Sequence, residues 1–308
     1  MSIEYAIIVK SKTRLEQLTD RFNTQNQAAF YIKQSGGSFD DYDLEHQNFQ
    51  ESLHQVQNQL SKLVKNKIVE RNYLPSYLFN DKNVVIVIGQ DGLVANTAKY
   101  VNGIPIIAVN PDPERYDGVL LPFNSHNFVH AVENVLSGHY SSRQATLAEA
   151  KLNDGQRLLA FNDLFIGVSS HVSARYRISY NNRAEDHSSS GIIVSTMSGS
   201  TGWLSSVFNM NNSINQNLEG SNAHFHKQEV EKDELLFVVR EPFASKKTQT
   251  ALTLGKISGQ KKLTLESYMP QNGIIFSDGV EADFMQFNSG AIATIGTAQE
   301  KANLVLPG

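Results

Sequence analysis

The sequence predicts two domains: an α/β N-terminal domain with a parallel sheet, and a mostly β C-terminal domain. The first half alternates helical patterns with short apolar runs of strand length, which is the order of elements in parallel α/β sheets. After Tyr140 the apolar runs are separated by Gly, Asn and Ser turns, which is typical of antiparallel β structure. A chain of 308 residues is long enough for two cores. We therefore predict domains at 1–145 and 146–308.

The N-terminal domain begins with a predicted strand from Tyr5 to Val9 and a helix from Lys10 to Phe22. A longer helix is predicted from Asp43 to Asn66, because apolar residues recur there at steps of four and three and form one stripe. The stripe consists of Phe49, Leu53, Val56, Leu60 and Leu63. It is too short to favour a coiled-coil seam over packing against a sheet.

Two strands with buried composition follow in the same domain. Val84 to Ile88 contains five β-branched residues, which is too apolar for a half-exposed strand and too short for a membrane span. A predicted helix from about Leu93 to Tyr100 leads to the second strand, Ile106 to Val109. The last helix of the domain is predicted to be capped by Ser125 and to end at Gly138.

The C-terminal domain is predicted as stacked β-sheets. Its short strands are expected at Tyr176 to Tyr180, Gly191 to Ser195, Leu235 to Val239 and Leu263 to Ser267. The polar stretch from Asn211 to Gly220 is predicted to be an exposed loop.

The composition limits the classes of function. A formal net charge of −4 argues against a surface that binds nucleic acid, and no apolar run approaches the length of a membrane span. The chain has no cysteine, which excludes disulfides, thiolate metal sites and a cysteine nucleophile. The N-terminus resembles a first strand rather than a secretory signal. We expect a cytoplasmic protein.

An acidic residue follows the first buried strand within a glycine turn. Gly89 and Gly92 allow the backbone to turn sharply, and Asp91 lies between them. Open α/β sheets bind their ligands at the carboxyl ends of parallel strands, which is where Asp91 is predicted to lie. Because Asp-Gly is also a common turn dipeptide, this pattern alone favours neither a ligand site nor an ordinary turn.

Three further polar clusters follow strand-like runs or begin them. The first, from Asn110 to Arg115, follows the second buried strand and is predicted to share a sheet edge with Asp91. The second is the pair Asn162 and Asp163, at the start of an apolar run. The third, from Ser195 to Trp203, offers hydroxyl and backbone N–H groups that could bind phosphate or ribose, although such runs are more often plain loops.

The order of these clusters resembles the NAD kinase family, which shares its core with diacylglycerol and sphingosine kinases. The family carries Gly-Gly-Asp-Gly after a strand, then an Asn-Asp/Glu pair, then a Ser-Thr-x-x-Gly-Ser-Thr stretch. The matching segments here are Gly89-Gln-Asp-Gly92, Asn162-Asp163 and Ser195-Thr-Met-Ser-Gly-Ser-Thr201. The resemblance covers residues 7 to about 295.

The variant looks most similar to the mitochondrial-type NAD kinases and their bacterial relatives. The segments that indicate this are Asn110-Pro-Asp-Pro-Glu-Arg115, Asn162-Asp-Leu-Phe-Ile-Gly167, Ser173-Ala-Arg-Tyr176, Ser189-Ser-Gly191, Arg240-Glu-Pro242 and Asn288-Ser-Gly-Ala-Ile-Ala293.

The resemblance implies that ATP donates its γ-phosphoryl group to the 2′-hydroxyl of the adenosine ribose of NAD, giving NADP. Mg²⁺ would bridge the ATP phosphates, and the protein itself is predicted to contain no metal site. The partners implied are nucleotide substrates and, as in the family, a second copy of the chain in a homodimer. The expected fold is that of NAD kinases and diacylglycerol kinases.

The resemblance also assigns roles to residues of this chain. Asp91 would be the general base that accepts the proton of the hydroxyl group. Gly89 and Gly92 would allow the loop to approach phosphates, and Asn162 and Asp163 would hold a ribose of NAD. The adenine and phosphate region would be lined by Thr196, Ser198, Ser200 and Thr201.

Two positions depart from the family pattern beside Asp91. Gln90 stands where the family has its second glycine, and Leu93 stands where a threonine usually follows the motif. We expect these departures to affect the use of ATP more than the binding of a dinucleotide. They leave open two alternatives: a kinase of another hydroxyl acceptor, such as a sugar, nucleoside or lipid, and a non-catalytic NAD sensor.

Several isolated features favour structural interpretations. His224 and His226 are predicted to be surface histidines, since no third metal ligand lies near them in sequence. Trp203 is expected to pack in a core or interface in preference to stacking on an adenine. A basic turn with Lys10, Lys12 and Arg14 follows the first strand and is more readily a solvated helix start than a phosphate contact.

Overall fold

The computed structural model describes residues 3–219 and 229–308, which form two compact units. Unit 1 extends to Gln144 and includes Ala302–Gly308, and unit 2 is Ala145–Lys301. The predicted domain ranges, 1–145 and 146–308, differ from these units at the C-terminus. The reason is a strand pairing: Asn303 and Leu304 pair in parallel with Pro105 and Ile106 of unit 1. A pairing between such distant segments leaves no local pattern in the sequence.

Unit 1 is an α/β unit, as predicted. Its strands are β1 (Tyr5–Lys10), β2 (Lys65–Glu70), β3 (Asn83–Ile88), β4 (Pro105–Asn110) and β5 (Phe123–Asn124). Its helices are α1 (Arg14–Phe22), α2 (Gln25–Gln34), α3 (Phe39–Leu60), α4 (Asp91–Ala98) and α5 (Phe128–Ser137). The strands pair in parallel in the order β5-β4-β3-β1-β2. All six residues of β3 are buried, which agrees with a central strand covered on both faces.

The stripe on α3 packs against this sheet. Phe49, Leu53, Val56 and Leu60 belong to one core cluster with residues of β1, β3, β4 and α5. Leu63, the last residue of the predicted stripe, lies beyond the end of α3 and is 37% exposed. The stripe therefore packs into the core that contains the strands of the sheet, as the sequence predicted.

In the part of the chain that the structure describes, unit 2 is a β-sandwich with one α-helix. Its elements are β6 (Ser142–Leu152), β7 (Arg157–Ala160), β8 (Asp163–Val168), β9 (Ala174–Tyr180), β10 (Arg183–Ser189), β11 (Ile192–Ser195), α6 (Trp203–Glu219), β12 (Leu235–Val239), β13 (Leu254–Ile257), β14 (Leu263–Ser267), β15 (Gly273–Ser277), β16 (Val280–Gln286) and β17 (Ile292–Val305). One sheet has the order β13-β12-β11-β8-β15-β16, and the other contains β10-β9-β14-β17. Residues from both sheets form a single core cluster.

Three local predictions were wrong. Asn211 to Glu219 is not a loop but continues α6, because Leu204 and Phe208 earlier in the helix anchor it on β11 and β12. The helix predicted to reach Asn66 ends at Leu60, and β2 begins at Lys65. The last helix of unit 1, α5, begins after Asn127 and is not capped by Ser125. In addition, α2 was not predicted.

The start of α1 shows why one predicted boundary moved. Thr13 caps the helix, and Glu16 closes a capping box with it, so the helix begins at Arg14 rather than at Lys10. Lys10 instead completes β1. Within the described residues, no helix is both long enough and apolar enough to cross a membrane.

Candidate functional site

The two motifs of unit 2 are in direct contact. The turn before β8 contains Asn162, and the segment after β11 contains Thr196. The Thr196 N–H donates to the Asn162 carbonyl at 2.9 Å, and the Thr196 hydroxyl donates to the Phe161 carbonyl at 2.6 Å. These bonds satisfy two carbonyl groups of the turn, so the segment from Ser195 to Thr201 serves as its support.

Gly199 allows this close approach. A Cβ atom at Gly199 would lie 2.2 Å from the Asn162 carbonyl oxygen and 2.8 Å from Ser195 Oγ. The Asn162 oxygen belongs to the backbone and cannot rotate away, so any larger residue must displace the turn. The glycine of the third motif is thus explained by packing within unit 2.

The N–H side of the same turn is held by a residue that the sequence analysis missed. Asp278 lies at the tip of the hairpin between β15 and β16, and its carboxylate accepts N–H groups from three consecutive residues. The distances are 3.0 Å from Phe161, 2.6 Å from Asn162 and 3.2 Å from Asp163. The dipeptide Asp278-Gly279 between two apolar runs is a hairpin signal. It does not indicate the long-range bonds.

The turn presents two polar side chains that have no partner in the part of the chain that the structure describes. Asn162 and Asp163 are both half-buried, and neither the Asn162 amide nor the Asp163 carboxyl makes a side-chain hydrogen bond there. Burial, and secondly the nearby charge of Asp278, raise the pKa of Asp163 from its ordinary 3.8 to about 7. Partly buried groups without partners are suited to bind a ligand.

The raised pKa of Asp163 predicts a pH-dependent gain in stability for Asp163→Asn. The folded state keeps a proton on Asp163 that the unfolded chain releases near pH 4, so this group's stabilising contribution is lost as pH rises through about 7. Asparagine cannot ionise. We expect Asp163→Asn to raise the free energy of unfolding at pH 8 by on the order of 2 kcal/mol, with little effect near pH 4.

Urea unfolding at the two pH values tests this prediction. The control is Asp154→Asn in the β6–β7 hairpin, because hydrogen bonds to Gln156 lower the pKa of Asp154 instead. The free energy of unfolding is compared between the wild type and Asp163→Asn at each pH. The prediction would be contradicted if this difference were the same at pH 4 and at pH 8.

The hydroxyl groups of the third motif have different environments. Thr196 is fully buried, and its hydroxyl also accepts the Gly199 N–H at 3.2 Å, so it holds the loop together. Ser198 and Ser200 are half-buried, and Thr201 is exposed. The last three hydroxyls are therefore accessible to a ligand, whereas the Thr196 hydroxyl is committed to the protein.

Asp91 is the first residue of α4, directly beyond β3. Its two carboxylate oxygens accept backbone N–H groups, from Leu120 at 2.8 Å and from Val119 at 3.1 Å. Asp91 therefore also fastens the loop after β4. Each oxygen keeps a second lone pair for another donor.

The two departures beside Asp91 fit the local backbone. Gln90 has an extended backbone (φ −105°, ψ 168°), which any residue can adopt, and its side chain is exposed. Leu93 is 5% exposed and packs against Gly89, where an added Cβ would meet Leu93 Cδ2 at 2.9 Å. The side chain of residue 93 therefore fills a buried space. Gly92 is exposed and has open space around it.

The loop that follows β4 is tied to α3. Within the loop, the Asp112 carboxylate accepts from the Asn48 amide at 2.9 Å, and Arg115 donates to Asp41 at 2.9 Å. The Asn110 side chain donates to the Tyr116 carbonyl. These contacts give Asp112 and Arg115 structural partners at the edge where the sequence predicted them.

The basic turn after β1 is likewise paired with carboxylates of unit 1. Lys10 lies 3.8 Å from Glu16, and Lys12 lies 2.6 Å from Asp20. Arg14 forms an ion pair with the buried Glu45. The structural interpretation of this turn accounts for all three cations.

Trp203 packs against protein groups within unit 2. Its ring stacks on Phe165 with centroids 5.6 Å apart, and the Arg240 guanidinium lies 5.4 Å from its centroid. Together with Phe276 and Phe284 these side chains line a cavity of about 670 Å³ on the outer face of the sheet that contains β8.

Comparisons with known proteins identify the fold. The crystal structure of yeast NADH kinase complexed with NADH covers 100% of this chain and 84% of its own, with a TM-score of 0.59 and 13% identity. The crystal structure of an NAD kinase from Archaeoglobus fulgidus in complex with ATP covers 98% of this chain and 93% of its own. Its TM-score is 0.56 and its sequence identity is 14%. The fold is that of the NAD kinases. This confirms the predicted fold class.

Curated relatives with the NAD kinase name align with part of the chain. The bifunctional NADP phosphatase/NAD kinase of Methanococcus maripaludis is 30% identical over 128 residues, which are 39% of this chain and 22% of that protein. The NAD kinase of Clostridium kluyveri is 28% identical over 129 residues, 39% of this chain and 44% of that protein. The chain thus spans less than half the length of these relatives. No protein-family profile matches it.

The chain is thus similar in part to proteins named NAD kinases, and it shares the fold of solved NAD kinase structures. The similarity to mitochondrial-type NAD kinases in particular stays a prediction. The described residues contain no group of three or more His, Asp or Glu side chains that could hold a metal ion. His224 and His226 lie outside the described residues.

Proposed function

We propose that the chain is an NAD kinase-like phosphotransferase that moves the γ-phosphoryl group of ATP to the 2′-hydroxyl of the adenosine ribose of NAD. The observation that carries this proposal is the Asn162–Asp163 turn, whose polar side chains have no partner among the described residues and whose backbone is fixed on both sides. The names of the relatives and the fold of the structural neighbours support the same reaction class.

The unpartnered groups suit a ribose. A diol presents two donors and two acceptors, which an amide and a carboxylate can meet together. In this proposal Asn162 and Asp163 bind the ribose of NAD, while Ser198, Ser200 and Thr201 contact the adenine and phosphate region. Thr196 contributes by holding the turn rather than by touching the ligand.

Asp91 is the proposed general base. A carboxylate positioned within hydrogen-bonding distance of the 2′-hydroxyl can accept its proton as the oxygen attacks the γ-phosphorus. The bonds from Val119 and Leu120 hold the carboxylate in one orientation, so little side-chain freedom remains to be lost. On the far side of Asp91, Gly92 leaves open space around the backbone.

No group of three or more carboxylate and imidazole ligands is present among the described residues. We therefore assign no residue of this chain to the metal. Mg²⁺ commonly binds with few protein ligands and with the phosphates of the substrate, as it does in MgATP.

A non-catalytic NAD sensor is the second candidate function, and the environment of Gln90 and Leu93 favours it. Leu93 fills a buried space within unit 1, and Gln90 places an exposed side chain next to Asp91, where the family has a glycine. If these residues suppress catalysis, the double substitution Gln90→Gly with Leu93→Thr is expected to raise the rate of NADP formation at least 10-fold.

The rate of NADP formation by this double variant should be compared with that of Leu93→Thr alone. The single variant controls for the loss of stability on placing a hydroxyl in a buried site. An unchanged rate in a folded double variant would remove the reason for the sensor interpretation.

A transfer assay with γ-labelled ATP tests the proposed function. Purified protein is given ATP, Mg²⁺ and one acceptor at a time: NAD, NADH, a nucleoside, a sugar or diacylglycerol. We expect label in the dinucleotides. Label in another acceptor would replace the proposal with a different kinase. NAD binding without transfer would favour the sensor.

The homodimer and the cytoplasmic location also stay proposals. The homodimer follows from the family resemblance, because NAD kinase sites are often completed across a symmetric interface. Analytical ultracentrifugation of the purified chain would decide its oligomeric state.

A further inference from the structure

One residue holds the N–H side of the proposed ribose-binding turn. Asp278 and Gly279 form the tip of the β15–β16 hairpin and both have positive φ, 53° and 69°. This left-handed geometry is typical of tight hairpin turns with the sequence Asp-Gly. The hairpin is anchored to the turn in return, because the Asp278 N–H donates to the Asp163 carbonyl at 3.0 Å.

Two residues hold the backbone of the turn: Asp278 binds its N–H groups and Thr196 binds its carbonyl groups. Asp278 accepts the N–H groups of Phe161, Asn162 and Asp163, all within 3.2 Å. Thr196 binds the carbonyl groups of Phe161 and Asn162. Hydrogen bonds to an ionised acceptor are about twice as strong as those between neutral groups. The Asp278 carboxylate therefore holds the turn more strongly than Thr196 does.

We propose that Asp278 is a positioning residue, whose carboxylate orients the turn so that the Asn162 and Asp163 side chains face a ligand together. The ligand class follows from the proposed function: the ribose diol of a dinucleotide. The positioning itself is a property of the free protein. The positioning role can therefore be tested even if NAD is not the substrate.

Asp278 also influences the protonation of Asp163. Its charge is the second cause, after burial, of the raised pKa of Asp163. The other strand neighbours at this end of β8 are uncharged: Ser195 of β11 pairs with Asp163, and Ser277 of β15 pairs with Leu164. Replacing Asp278 by a neutral residue should therefore lower the pKa of Asp163 but leave the effect of burial.

The test is a pH titration of the Asp163 carboxyl carbon by NMR in the full chain, with and without Asp278→Asn. We expect a lower titration midpoint in the variant, still above the ordinary value for aspartate. The amide signals of Phe161, Asn162 and Asp163 should change as well, because the asparagine NH₂ cannot accept their N–H groups. NAD affinity at pH 7 should fall at least 10-fold.

Two controls separate positioning from general loss of structure. Asp154→Asn removes another hairpin aspartate that accepts a backbone N–H, at 3.0 Å from Gln156, and it contacts neither Asn162 nor Asp163. It should leave the Asp163 midpoint and NAD affinity unchanged. In an Asp163→Asn background, Asp278→Asn should no longer change the pH dependence of NAD affinity, although it should still weaken binding.

The outcomes are distinct. An unchanged Asp163 midpoint together with unchanged NAD affinity in Asp278→Asn would overturn the proposal. If the wild type does not bind NAD, the proposed function fails, whereas the midpoint and the amide signals still decide the positioning role. If Asp278→Asn does not fold, Asp278→Ser and hydrogen exchange of the wild-type amides replace it. Rapid exchange of the three amides at 161–163 in the wild type would contradict the proposal.

Discussion

Gly199→Ala is expected to remove NAD binding and to lower the free energy of unfolding by about 3 kcal/mol, the upper range for added atoms in a packed site. The new Cβ would lie 2.2 Å from the Asn162 carbonyl oxygen and 2.6 Å from its carbon. Since both atoms are backbone, the Asn162–Asp163 turn itself must move. The substitution thus links packing directly to ligand binding.

The matched control lies in β17. A Cβ at Gly296 would have its nearest neighbour, the Lys262 Cε atom, at 3.7 Å, which is ordinary contact, and the residue has strand backbone. Gly296→Ala should therefore keep both stability and NAD binding close to those of the wild type. Calorimetry with NAD and urea unfolding measure the two effects. Equal NAD affinity in the two variants would show that the turn does not bind the dinucleotide.

Asp91→Asn is expected to reduce turnover by roughly 10²- to 10⁴-fold, the usual contribution of a general base, while largely sparing NAD affinity. Asparagine has a similar size but cannot accept a proton at neutral pH. It can also accept only one of the two N–H groups that Asp91 now binds, from Val119 and Leu120. Part of any loss could therefore come from displacement of the loop.

Asp112→Asn distinguishes the two causes. Asp112 belongs to the loop after β4 and holds it through Asn48 and Arg115, but no catalytic role is proposed for it. We expect its substitution to reduce stability slightly and turnover by less than 10-fold. An equal loss of turnover in both variants, with equal loss of stability, would mean that Asp91 acts by holding the loop.

The sequence was informative where apolar residues follow a regular period. The buried run at β3 and the stripe on α3 both follow from side-chain patterning, because each element buries one face or both. The end of the chain shows the limit: the pairing of Asn303 with Pro105 depends on residues far apart in sequence. Likewise, the polar composition of Asn211 to Glu219 predicted a loop, whereas tertiary contacts stabilise a helix there.

The motifs of the candidate site could be predicted from the sequence, whereas the residues that hold these motifs in place could not. Asn162, Asp163 and the segment from Ser195 to Thr201 were singled out by composition, order and resemblance, and the structure brings them into contact. Asp278 was missed, since an Asp-Gly dipeptide indicates a hairpin and nothing about what the carboxylate binds. The burial of Leu93 could not be predicted either, because the family pattern shows only that the hydroxyl of a threonine is absent at this position.

The position of the transferred phosphoryl group is the most direct test of the central claim. The protein is incubated with ATP, Mg²⁺ and NAD, and the products are examined by ³¹P NMR. The proposed function predicts a new phosphomonoester signal on the 2′-oxygen of the adenosine ribose, formed together with ADP. A dinucleotide that binds but remains unphosphorylated, or a phosphoryl group at any other position, would contradict it.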